Sequence, residues 1–129
     1  MRLASASAQS VAVPDSTERQ RLFSSDSVLV FTLTAPFQRL LKDRGDKPVP
    51  HLAQLSYAGG AEALPVKLTV RGNFRRKRAN CVFPPLFLDV SKKKAGNTPF
   101  ANQKKLKLVT HCQNEEYVVR EYLVYRLYN

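Results

Sequence analysis

The stretch LPVKLTVRGNFRRKRANCVFPPLFLDV, residues 64–90, decides how this chain folds. It opens on an alternation, with Leu64, Val66, Leu68 and Val70 on one side of an extended chain and Lys67, Thr69 and Arg71 on the other. A strand over residues 64–71 is therefore expected, with any functional face being the one that bears Lys67 and Arg71. Gly72 and Asn73 then permit a sharp turn, Pro84 and Pro85 close a basic loop, and LFLDV at 86–90 begins the next strand.

Working outward, AGGAEA at 58–63 supplies the glycines of a turn, so HLAQLSY at 51–57 pairs with residues 64–71 as a hairpin. KLKLVT at 105–110 is a further strand, with Leu106 and Leu108 pointing one way and Lys105, Lys107 and Val109 the other. SVLVFTLT at 27–34 is dense in β-branched and aromatic residues and reads as the first strand. Pro36 suits the opening turn of a short helix through Leu41. The last residues, EEYVVREYLVYRLYN at 115–129, read as a helix in which Glu116 and Arg120 form an i,i+4 pair. These elements predict an α+β fold: an antiparallel sheet of about five strands, with a short helix after strand 1 and a C-terminal helix packed on the sheet. The 129 residues suffice for one core, so residues 21–129 are expected to form a single domain.

Both ends carry their own expectations. MRLASASAQS places small residues as the tail of a secretory signal does, but without an apolar run; residues 1–20 are either a signal remnant or a disordered Ala/Ser tail. In the last helix, apolar residues from Val118 to Tyr128 spread round most of the circumference. Such a helix expects partners on most sides. The chain is thus expected to be the N-terminal part of a longer protein, or a subunit that hides residues 115–129 in an oligomer.

Of the net charge of +11, all but one unit lies in residues 71–110, where eleven Lys and Arg face a single acid, Asp89. That concentration points to a local anion site or polyanion-binding face. The run SKKK at 91–94 reads as solvated loop. No apolar stretch is long enough to cross a bilayer as a helix.

Catalytic sets are hard to find. His51 and His111 are the only histidines, and the His111–Cys112 pair is too sparse for a zinc site, so no metal site and no catalytic residue are assigned. Cys81 and Cys112 either form one disulfide, if the chain is exported, or remain two reduced buried thiols. The bridge would contribute about 3.6 kcal/mol on a chain-entropy model. The strongest local signal is VRGNFRRKR at 70–78. A Gly-Asn turn exposes backbone amides, and Arg71, Arg75, Arg76 and Arg78 offer planar forks for phosphate or carboxylate oxygens. Neither GxxxxGK[ST] nor GxGxxG is present. Phe83 and Phe87 read as core, which leaves no stacking platform for bases.

The order of motifs, RGN after a strand, a basic loop, a KLKL strand and a helix with REYLVYRLYN, resembles the N-terminal lobe of the spore coat protein H (CotH) family of atypical kinase-like enzymes. The resemblance covers residues 64–129 and centres on Arg71, Gly72 and Asn73. The strings RGNFRR, C-FPPL, KLKLVTHC and EYL-YR-YN are also similar to uncharacterised exported bacterial proteins. The family resemblance implies that Arg71 and the loop through Arg78 face nucleotide phosphates. It also implies that Lys67 or Lys107 pairs with Glu121 on the helix, as a strand lysine and a helix glutamate do in kinases. The family's metal-binding acids lie beyond the position of Asn129, so the chain alone takes no cofactor and its status as an enzyme stays open. ATP and magnesium are expectations for a full-length protein. The alternatives are a module for nucleic acid or another polyanion, and a non-catalytic structural domain. A periplasmic or cell-surface location is expected from the N-terminus, with a cytoplasmic one as the alternative.

Overall fold

Alternation of apolar and polar residues sets each strand, and every strand pairs with the next one along the chain. The computed structural model describes residues 22–128 except 25, 59, 61 and 113; the tail expected over residues 1–20 lies outside them. The elements are β1 (Phe31–Thr34), α1 (Phe37–Lys42), β2 (His51–Tyr57), β3 (Leu64–Val70), β4 (Leu86–Val90), β5 (Lys105–Leu108) and α2 (Glu115–Leu127). They form one five-stranded sheet in the order β1-β2-β3-β4-β5, antiparallel at each junction. The α+β architecture expected from the sequence is the one observed. β1 starts four residues later than the apolar pattern suggests, because Val28 and Val30 stay exposed and pair with nothing on β2.

One face of the sheet is packed. Leu64, Val66, Leu68 and Val70 of β3 align with Leu86, Leu88 and Val90 of β4 and with Ala53 and Leu55 of β2. Leu40 of α1, Ala95 and Phe100 complete this core. The last two come from the long basic connection after β4. Successive turns, Ala95 N–H to Ser91 O and Thr98 N–H to Ala95 O, both 3.0 Å, fold it back beneath the sheet. Phe100 meets Phe31 and Tyr57 edge-on, with ring centroids 6.1 and 6.0 Å apart. At the β2–β3 turn the Tyr57 ring lies so close to Gly60 that a Cβ there would stand 2.9 Å from a ring carbon.

The opposite face carries Leu52, Lys67, Thr69, Phe87, Asp89, Lys105 and Lys107. Phe87 is therefore not a core residue, against the expectation from its apolar surroundings. It shares the parity of Asp89, and its ring is half-buried on the open side.

α2 follows β5 and starts at Asn114, whose side-chain carbonyl accepts from the Glu116 N–H at 3.0 Å. Arg120 and Glu116 make the expected i,i+4 pair. No residue of α2 is buried. The helix lies beside the open face, across a cleft from Lys107, without burying a face of its own on the sheet. Its apolar residues point in too many directions for one surface to cover them. Arg126 ties its C-terminal turn to both carboxylate oxygens of Asp26, one of them at 3.2 Å. No helix among the described residues is long and apolar enough to cross a membrane.

Candidate anion-binding cleft

The basic loop between β3 and β4 is built around a backbone turn that only its glycine adopts easily. Gly72 has φ +94°, a conformation disfavoured for residues with a Cβ. The Arg71 N–H donates to Pro85 O at 2.9 Å, which extends the ladder by one rung and closes the loop at its base. Inside the loop, Asn80 Nδ2 donates to Phe74 O at 2.8 Å and the Cys81 N–H to Lys77 O at 3.0 Å.

Arg44, just beyond α1, organises this loop from outside. Its guanidinium donates to Leu41 O at 2.7 Å, Cys81 O at 2.5 Å and Arg76 O at 3.4 Å, and also to Val82 O. Burial, and after it the charge of Arg78, hold its pKa below the ordinary arginine value. Nothing in the local sequence marks Arg44, since three of these four partners lie more than thirty residues away. Nearby, Asp43 accepts from the Val49 N–H at 2.9 Å and pairs with His51 at 3.0 Å. These two bonds, in that order, lower the Asp43 pKa from its usual 3.8.

The four loop arginines do not act as one group. Arg76 turns to Asp46, 3.3 Å away, and Arg78 lies on the Arg44 side. Arg71 and Arg75 turn the other way, towards α2. Arg71 enters a cleft of about 690 Å³ together with Lys107 of β5 and Val109 just after it, Glu121, Tyr122, Tyr125 and Arg126 of α2, and Phe23 and Asp26 of the N-terminal segment. The guanidinium carbon of Arg71 stands 5.1 Å from the Phe87 ring centroid, and Lys105 Nζ stands 5.0 Å from it. The Arg71 Nε is buried with no hydrogen-bond partner, and neither Arg71 nor Lys107 has an ion-pair partner among the described residues. Two cations sharing a partly enclosed, aromatic-walled space form a place for an anion with paired oxygens.

Glu121 faces this space, but its ion-pair partner is Arg75, at 3.8 Å. Lys67 lies elsewhere on the open face, opposite Asp89, and lines a different hollow with Leu52 and Lys94. The structure therefore does not bring Lys67 and Glu121 together, whereas Lys107 and Glu121 share the cleft. The lysine nearest the helix comes from β5 because α2 runs beside that edge. Asn73 is exposed at the tip of the turn and has no hydrogen bond to a described residue.

Cys81 and Cys112 form a disulfide, with Cα atoms 4.8 Å apart, so the second half of the basic loop is fixed to the segment that leads into α2. A second tie runs alongside it, from Thr110 Oγ1 to Phe83 O at 2.8 Å. No three His, Cys, Asp or Glu residues gather as a metal-binding group among the described residues. Comparisons with protein-family models, curated proteins and solved structures found no match to this chain.

Proposed function

We propose that this chain is the N-terminal lobe of an exported kinase-like protein, related to the spore coat protein H (CotH) family, and that its cleft binds the phosphates of a nucleotide. The observation that carries the reading is that Arg71 and Lys107 line one cleft. Two cations without ion-pair partners among the described residues, one at the base of the RGN loop and one on β5, line a single space together with Tyr122 and Tyr125. Supporting features are the five-stranded antiparallel sheet followed by a helix that presents Glu121 to the same space, and Arg75 held at the rim by Glu121. A phosphate arriving between Arg71 and Lys107 meets paired donors without displacing an existing ion pair. The disulfide fits export to an oxidising compartment. In this reading ATP and magnesium are bound by the full-length protein, whose metal ligands follow this lobe.

Calorimetric titration of the full-length protein with ATP and magnesium tests the proposal. Saturable binding at one site is expected, weakened about tenfold or more by Arg71→Ala and less by Arg75→Ala. Flat traces, or an affinity untouched by Arg71→Ala, would remove the reading.

A further inference from the structure

We infer that the open face of the sheet binds a single-stranded nucleic acid along its length, with the Arg71–Lys107 cleft at one end of the track. This rests on the reading of that cleft as a phosphate site and extends it from one nucleotide to a strand. A second hollow of about 410 Å³ lies on the same face, lined by Leu52, Pro65, Lys67, Asp89, Ser91 and Lys94. Register connects the two. Lys67, Asp89 and Lys105 form one cross-strand row, and Thr69, Phe87 and Lys107 form the next, towards Arg71. Five cations thus border this face in two rows, Lys67 and Arg71 on the β3 side of Phe87 and Lys105 and Lys107 on the β5 side, with Lys94 sharing the hollow of Lys67. The one acid that the strands place on this face, Asp89, is already engaged by Lys105 at 3.6 Å.

Apolar and aromatic side chains alternate with these charges. Leu52 is 75% exposed in the second hollow, Phe87 lies between Arg71 and Lys105, and Tyr122 and Tyr125, 55% and 63% exposed, line the cleft. A polymer of phosphates alone would use the cations and leave these side chains in water. A duplex keeps its bases inside. A single strand offers phosphates to the lysines and unstacked bases to Leu52 and the tyrosines, which matches both halves of the pattern.

The test is fluorescence anisotropy of the full chain with a labelled oligothymidylate of about 12 nucleotides, within the usual site size. Engagement of the four cations that Asp89 leaves over, Lys67, Lys94, Lys107 and Arg71, predicts that log affinity falls with log salt at a slope of about −2.8. Lys67→Ala/Lys94→Ala should make the slope shallower by about 1.4 and weaken the oligonucleotide about tenfold, with ATP–magnesium affinity held within about twofold. An oligonucleotide that binds no more steeply with salt than ATP, and ignores the double substitution, overturns the track and leaves the cleft standing. Inorganic polyphosphate competing as well as the oligonucleotide at equal phosphate concentration overturns the nucleic-acid assignment. ATP affinity unchanged by Arg71→Ala instead strikes the underlying phosphate site.

Discussion

The two faces of the sheet are made by the same strands and by alternate residues of the same sequence, yet they answer to different physics. On one, Leu55, Leu68 and Leu88 are fully buried against Leu40 and Phe100. On the other, Lys67, Lys105 and Lys107 stand exposed around Phe87. The packed face holds the fold through apolar burial, which tolerates no cavity. The open face adds little to stability, since exposed cations contribute little, and is free to carry charge.

The largest effect should come from breaking the packed face. Leu68→Ala is expected to cost about 3 kcal/mol, read as a lower urea midpoint with an unchanged slope; a loss under about 1 kcal/mol would mean that the core collapses around the cavity. Next comes the joint between the faces. Arg44→Ala leaves the carbonyls of Cys81 and Val82 without their donor and should cost about 2 kcal/mol, with anion affinity reduced as well because the loop loses its outer support. Smaller still is the contribution of Asp43. Its folded pKa lies below the unfolded value, so its stabilisation is present above about pH 4 and fades as pH falls through the folded value. Asp43→Asn should therefore be less stable than the parent at about pH 6, and the difference should shrink as pH falls below about 4; a difference that did not shrink in acid would assign the effect to something other than the carboxylate. The smallest change in stability belongs to the open face. Lys107→Ala should stay within about 0.5 kcal/mol of the parent while weakening phosphate binding, and a large destabilisation would abolish the contrast between the faces.

Much of this division was legible in the residues. Strict alternation in LPVKLTV assigned the sides of β3, and the same parity put Lys105 and Lys107 opposite Leu106 and Leu108. Phe87 was misread because LFLDV looks uniformly apolar up to Asp89, although that acid, two residues on, carries the parity that puts the ring outside. Arg44 and the turn to Asp46 by Arg76 depend on contacts across some thirty residues, for which no local pattern exists. The Lys67–Glu121 expectation failed on geometry of the same kind: which lysine meets the helix is decided by where α2 lies, and that depends on Arg126, Asp26 and the disulfide. Phe100 and Ala95 lie in a stretch whose lysines suggest solvent, and its repeated turns bring two small segments of it inside.

The order of the strands has a consequence for how quickly the structure is reached. Because β1 to β5 lie side by side in chain order, each ladder joins neighbours and no pairing waits for a distant segment. Loop-closure entropy rises only logarithmically with length, so the short β2–β3 turn is the least costly place to begin, and later strands add one at a time to an existing edge. A meander of this kind has low contact order for a sheet protein. Its refolding should be faster than that of a β-sandwich of equal length, and stopped-flow measurements in urea read that rate directly.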